Sequence, residues 1–344
     1  MKADPPTARL VTLGEIRQAR DLIAGHVHRT PLFSSSTAAR VVEAATGARP
    51  GDGRIHLKAE HLQVTGSFKP RAASARVAAL DPEQKAAGIV TVSAGNAGQA
   101  YAWAARDQGV HATVVMPESA VRSKVDACRG YGAEVVLHGK HAGESFDEMA
   151  RLSAERGDVV CHPYDDPDVI AGNGSLGLEL LDDLPDVDLV VCGIGGGGLI
   201  SGLSAALKET RPSVRVVGVE PAASNAMQLA LEAGHPVAIH PASVADGLGA
   251  PYAGAWTLPM CQRYLDEVVD VSDAQILAGL RFSAERLKQV LEPAGAAALA
   301  ALLFGRVPVR TGDHVAVVLS GGNVEVGRLG ELLAAAAPLQ VPAP

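Results

Sequence analysis

The chain has 344 residues, 47% of them hydrophobic and 20% charged, which excludes a disordered polymer and leaves room for two lobes with buried cores. Thirty Lys and Arg against 38 Asp and Glu give a net charge of −8, without the basic footprint of a nucleic-acid or anionic-membrane binder. Cys128, Cys161, Cys192 and Cys261 are widely spaced with no CxxC pair, so no disulfide framework or zinc cluster is expected, and a reducing cytoplasm is.

The opening MKADPPTARL lacks the apolar core of a signal peptide. The longest apolar stretches, such as 293–305, fall short of the roughly 18 to 20 residues that cross a bilayer, so no membrane span is expected. TLGEIRQARDLIAGHV reads as the first helix, with Thr12 and Glu15 as a capping box. RIHLKAE is a strand candidate, and HLQVTGSFKPRAASARVAAL a loop that opens a helix. GIVTVSAGNAGQAYAWAARDQGV reads as strand, turn and helix. ATVVMP and AEVVLHG are short strands flanking a helix that carries Lys124.

After His162, IAGNGSLGLELLDDL reads as a helix, DLVVCG as a buried strand, GLISGLSAALKET as a helix and VRVVGVE as a strand. LKQVLEPAGAAALAALL is expected as one helix and HVAVVLSGG as the last strand. The Ala/Pro-rich tail after Leu333 is expected to fray. Apolar strands alternating with helices predict an α/β fold: two lobes with mainly parallel sheets covered by helices. The smaller lobe is expected over 50–155, inserted into a larger one built from 1–49 and 156–344.

Chemistry concentrates at strand ends. Gly195, Gly196, Gly197 and Gly198 lie between a strand and a helix N-terminus, where backbone N–H groups and the helix end favour a phosphate; a ligand-free tight turn is the competing reading. Gly193, Gly195 and Gly198 also satisfy G-x-G-x-x-G, with Glu220 placed for a ribose, so this segment alone leaves a nicotinamide oxidoreductase open. Lys69, after Phe68 and at a helix start, has the type of group that forms a Schiff base with an aldehyde cofactor, against the usual role of a solvated charge. Ser93, Ala94, Gly95, Asn96 and Ala97 form a small-residue turn suited to a carboxylate, or simply a capped helix. Ser320 ends a strand, where open sheets place ligands, or closes an ordinary turn. There is no HExxH, His138 and His141 lack partners at ligand spacing, and no G-x-S-x-G elbow occurs, so no metal is expected and no hydrolase triad.

In this order the segments resemble the fold-type II pyridoxal-phosphate enzymes (the tryptophan synthase β-like fold), in the serine/threonine dehydratase and serine racemase branch. The likeness runs through RTPL at 29–32, KAEHLQVTGSFKPRAA, VSAGNAGQA, PESAVRSKVDACRGYGAEV, HPYDDPDVIAGNGSLGLE, GGGGLISG, VGVEP, VADGLG, EPAGAAALAAL and LSGGNVE. It implies pyridoxal 5′-phosphate as cofactor and Lys69 as the Schiff-base lysine and, once freed, the base at Cα. It places Phe68 near the cofactor ring, Asn96 at the 3′-hydroxyl, Gly195 to Gly198 around the phosphate, Ser320 at the pyridine nitrogen and Ser93 to Ala97 at the substrate carboxylate. On this reading Glu220 loses its ribose role.

The implied reaction is β-elimination from L-threonine or L-serine to a 2-oxo acid and ammonia, by a cytoplasmic homodimer acting on a small amino acid. Alternatives are an ammonia-lyase for threo-3-hydroxyaspartate, a β-replacement synthase and, remotely, an NAD-dependent oxidoreductase. Ala94 stands where racemases carry a second, serine base, which disfavours racemisation. Ala226 replaces the acidic partner of Glu220 at the family's divalent-cation site. Asn173, Ser175 and Tyr164 depart from the common pattern and are expected to touch the side-chain pocket. The chain leaves no room after its last strand for a regulatory domain, so feedback by isoleucine is not expected.

Overall fold

The computed structural model describes residues 9–140 and 142–343. Residues 1–8, within the segment read for a signal peptide, and His141 lie outside the described residues. Among the latter, ten strands form two sheets. The smaller sheet contains β3 (Ile89–Val92), β4 (Ala112–Met116), β5 (Glu134–Leu137) and β6 (Val159–Val160), all parallel, in the order β5-β4-β3-β6. The larger contains β1 (Leu32–Ser35), β2 (Ile55–Lys58), β7 (Leu189–Gly193), β8 (Arg215–Pro221), β9 (Glu267–Val271) and β10 (Val315–Val318), in the order β1-β2-β10-β7-β8-β9. Its strands pair in parallel except β1 with β2.

Alternation along the strands divides their side chains between two apolar layers. Leu189, Val191, Val315 and Val317 face a core completed by the helices Ser36–Thr46, Asp273–Phe282 and Pro293–Leu303. Val190, Cys192, Ala316 and Val318 face the other, completed by Pro167–Asp183 and Gly198–Thr210. Each large apolar side chain so buried contributes about 1.5–3 kcal/mol, which is why these runs are apolar throughout. In the smaller sheet Ile89, Ala112 and Val114 pack under the helices Lys69–Ala78, Asn96–Asp107 and Arg122–Gly130. Val90, Val92 and Val115 pack under Met149 and Leu152 of the helix Ala142–Arg156.

Sheet pairing differs from a division at 50 and 155: β2 belongs to the larger sheet, held by β1 and β10, and β6 to the smaller, paired with β3. The first helix, Leu13–Leu22, starts where Thr12 and Glu15 predict, with both arms of the capping box made. The single helix expected over LKQVLEPAGAAALAALL is not formed. A π-helical turn ends at Leu287, Lys288 takes a left-handed φ of 59°, and the next helix starts only at Pro293. Proline lacks an N–H and forces its predecessor out of helical geometry, so Glu292 is extended, with φ −83° and ψ 162°. Nor does the tail fray after Leu333. The helix Val326–Ala335 reaches two residues into it, the Ala336 carbonyl accepts from Arg281 at 2.8 Å, and the partly buried Leu339 and Val341 pack on the core.

Candidate active site

Two strand ends build the site. β10 runs into Ser320, whose carbonyl accepts the Phe68 N–H at 3.0 Å, while Ser67 bridges Gly321. This antiparallel contact carries the start of the helix Lys69–Ala78 to the carboxyl end of the larger sheet. In the smaller sheet β3 runs into Ser93, whose Oγ accepts from the Gly95 N–H at 3.1 Å and closes the turn that starts the helix Asn96–Asp107. A Cβ on Gly98 would stand 2.5 Å from the Ser93 carbonyl oxygen, so no larger residue fits there.

A cavity of about 450 Å³ opens between these ends. It brings together Phe68, Lys69, the turn from Ser93 to Ala97, Gly195 to Gly198 and Ser320, that is, every candidate site residue of the sequence. Lys69 Nζ donates to the Pro163 carbonyl at 3.0 Å and sits 5.0 Å from the Phe68 ring centroid. Burial lowers its amine from the ordinary lysine value to about 8, and the nearby Glu292 offsets this in part. Roughly a tenth to a fifth of the amine is therefore neutral near physiological pH, against about a thousandth for a solvated lysine, and the neutral form is the nucleophile or base.

The glycine loop needs its glycines for space. A Cβ on Gly196 would overlap the Tyr164 ring, and one on Gly198 would come within 2.8 Å of the Tyr164 carbonyl oxygen. Gly197 has φ +94° and ends the loop at the helix Gly198–Thr210. Thr257 Oγ1 donates to the Gly196 carbonyl at 2.7 Å and fixes the loop from behind. The loop thus presents side-chain-free backbone at a helix N-terminus, the arrangement that accepts a phosphate.

Sequence reasoning gave Glu292 no role, yet it lines the cavity. Its Oε1 accepts from Asn96 Nδ2 at 2.6 Å, and Asn96 Oδ1 accepts from Asn323 Nδ2 at 2.8 Å, so the Asn96 amide is pinned from both sides with one N–H left over. Burial raises the Glu292 carboxyl to about 7, against the bond from Asn96 and the charges of Lys124 and Lys69. The signal that reveals it is Pro293, which halts helix formation one residue earlier and leaves the carboxylate at a helix start. Lys124 also lines the cavity, 3.0 Å from Asp246 across it.

Of the three departures expected at the side-chain pocket, Tyr164 alone lines the cavity, its hydroxyl donating to the Tyr252 carbonyl at 3.2 Å. Asn173 and Ser175 do not. Both are buried within the helix Pro167–Asp183, where Ser175 Oγ accepts from Arg71 at 3.3 Å. Helix packing places them there: Gly172 and Gly177 let neighbouring helices approach until any Cβ would clash.

Pyridoxal phosphate, implied by the sequence resemblance, fits these residues. Its aldehyde needs a desolvated amine, which Lys69 supplies, and its phosphate needs unhindered N–H groups at a helix start, which the loop supplies. Its ring needs a slot between them, lined here by Phe68, Asn96 and Ser320.

Glu220, at the end of β8, accepts from the Met227 and Gln228 N–H groups, both at 2.8 Å. Among the described residues no group of three or more His, Cys, Asp or Glu is placed to hold a metal ion. Burial raises Glu220 to about 7, partly offset by those two bonds. A carboxyl whose folded pKa exceeds its unfolded value binds more protons when folded, so its contribution to stability declines as pH rises from the unfolded pKa towards about 7. Glu220→Gln is expected to remove this decline: melting at about pH 5 and about pH 8 should show the wild type losing roughly 2–4 kcal/mol more than the variant.

The sequence matches the family described as pyridoxal-phosphate dependent enzyme over residues 23–321. An L-threonine ammonia-lyase of Thermotoga maritima is 40% identical over 325 residues, 94% of this chain and 78% of that protein. Among solved structures, a T.th. threonine deaminase superposes with a TM-score of 0.81 at 40% identity, covering 91% of this chain and 99% of that one. Maize serine racemase superposes with a TM-score of 0.86 at 33% identity, covering 95% and 98%.

Proposed function

We propose that this chain, which belongs to the pyridoxal-phosphate dependent enzyme family, eliminates water from L-threonine and, as a second substrate, L-serine, releasing a 2-oxo acid and ammonia. The observation that carries the reading is one cavity lined by the Lys69 amine and by Ala94, a side chain without a proton to give. Such a site can remove the Cα proton but has no second base at position 94 to return one to the opposite face. When bound, pyridoxal phosphate supplies an aldehyde carbon and a sink for the charge left at Cα. The backbone at Gly195 to Gly198 holds the phosphate anion. Lys69 Nζ, part neutral through burial, takes the Cα proton as general base. The Ser93–Ala97 turn at a helix start favours the substrate carboxylate. Ser320, a neutral hydroxyl, offers the ring nitrogen no charge with which to keep a proton, which favours expelling a β-substituent.

The same reading takes the smaller lobe to be the insertion that carries β3 to β6, so that the cleft between the lobes is the site. It places the protein in the cytoplasm, supported by four free, buried cysteines, and as a homodimer, supported by the exposed apolar side chains of Leu62 and Val290. The likeness to an L-threonine ammonia-lyase puts threonine ahead of serine.

The test supplies L-threonine, L-serine and L-threo-3-hydroxyaspartate separately and follows 2-oxo acid and ammonia. Fastest release from L-threonine is expected. Release from hydroxyaspartate alone keeps the elimination and moves the substrate. A stable substituted amino acid without ammonia, when a nucleophile is added, replaces elimination with β-replacement.

A further inference from the structure

We propose that a closed ring of buried ion pairs beneath the cavity, centred on Arg71, sets the rotation of the helix Lys69–Ala78 and thereby positions the Lys69 amine. Arg71 Nε and Nη2 donate to the two carboxylate oxygens of Glu60 at 2.8 and 2.9 Å. Its Nη1 reaches Glu179 at 2.9 Å. The other Glu179 oxygen lies 2.6 Å from Lys58 Nζ, which donates to the Thr30 carbonyl at 2.8 Å. Thr30 Oγ1 closes the ring on Glu60 at 2.5 Å. Lys58 also pairs with Asp183 at 2.8 Å. Lys58, Glu60 and Arg71 are all but inaccessible to solvent.

Stability is a poor reason for this ring. Taking so many charges out of water costs more than apolar residues of the same volume would, and replacing such networks by well-packed hydrophobes is commonly neutral or stabilising. Its placement gives a better one. The helix starts on Phe68 without a side-chain cap, has Pro70 in its first turn and carries two cations, Lys69 and Arg71, at its positive end. Only the preset φ of Pro70 locally favours that start, and it does not fix the rotation of the helix about its axis. Residues two apart on a helix point about 200° from each other, so drawing Arg71 down onto Glu60 and Glu179 turns Lys69 the opposite way, into the cavity. The carboxylates also cancel the charge of Arg71, so Lys69 need not share the helix end with an unpaired cation. The anchors of the ring are β2, the turn at Glu60 and the helix Pro167–Asp183, all on the side of the larger sheet. With the Ser67–Gly321 bridge they fix the helix start at two points.

The inference rests on the reading of Lys69 as the amine that takes the cofactor. Arg71→Met alone strands Glu60 without its cation and is expected to unfold the chain. The informative variant is Glu60→Leu/Arg71→Met/Glu179→Leu, which removes the ring and leaves Lys58 its pair with Asp183. The purified apo-protein is mixed with pyridoxal phosphate, and capture is followed by visible absorbance and by borohydride trapping on Lys69. The triple variant is expected to melt cooperatively, close to the wild type, yet capture the cofactor at least about tenfold more slowly, with kcat reduced similarly and KM nearly unchanged. A folded triple variant that captures at the wild-type rate overturns the proposal. So does one that cannot fold, because the ring would then be a requirement of stability. Lys69→Ala is run alongside: if it captures the cofactor as the wild type does, the reading of Lys69 fails, and the ring is not what has been refuted.

Discussion

Lys69→Ala is expected to abolish cofactor capture and to lower turnover roughly 10⁴-fold or more, since the loss of a positioned general base alone costs about 10²–10⁴ and the covalent attachment is lost with it. The same amine sets a pH dependence in the wild type. Only the neutral form attacks an aldehyde, and burial brings the folded pKa to about 8. Capture by the apo-protein should therefore speed up with rising pH and reach half its maximum near 8, well below the midpoint of a solvated lysine. Glu292 stabilises the cationic form of Lys69, so in Glu292→Gln the midpoint should fall further. That variant also replaces the acceptor of the Asn96 N–H with a neutral amide, so weaker cofactor retention should accompany the shift. Stopped-flow absorbance across a pH series reads both effects. A midpoint unchanged by Glu292→Gln would mean that the carboxylate and the amine do not sense each other across the cavity.

What can be read along the chain and what cannot divides by distance. Lys69, the turn at Ser93 and the glycine loop each lie within a few residues of a strand end or helix start, and short-range pattern places such points. The layered α/β architecture is legible for the same reason, in the alternation of apolar strands with helices. Asn173 and Ser175 lie away from the pocket expected for them because their neighbours are the remote helices that pack on them, beyond the reach of local pattern. Arg71 looks like one more surface charge until folding brings Glu60 and Glu179 around it. Glu292 is hidden by an apolar run whose composition favours a helix throughout, although Pro293 stands in the middle of it. β1, four residues of mixed polarity with both ends half-buried, has almost no periodic signal, and its pairing with β2 defines it.

Within the glycine loop, equal substitutions are expected to have unequal effects, and their ranking tests how the phosphate is held. At Gly195 the backbone is not left-handed, and a Cβ would meet its nearest neighbour, Leu248 Cα, at 3.3 Å, a contact relieved by a small shift. Gly195→Ala should therefore weaken cofactor binding by about tenfold at most. At Gly197 φ is +94°, and a Cβ would stand 2.6 Å from Met227 Cε and 2.8 Å from Thr257 Cβ. The left-handed conformation costs alanine about 1–2 kcal/mol and the overpacking about 1–3 more. The apo loop can escape that strain by moving away from Thr257, whose hydroxyl holds the Gly196 carbonyl at 2.7 Å. Cofactor binding must then drive the loop back, so the strain appears as lost affinity: about 3 kcal/mol, or more than a hundredfold. Titrating apo Gly195→Ala and Gly197→Ala with pyridoxal phosphate and following the visible absorbance gives the ranking directly. Equal affinities for the two variants would mean that side chains, and not the N–H groups of this loop, carry the phosphate.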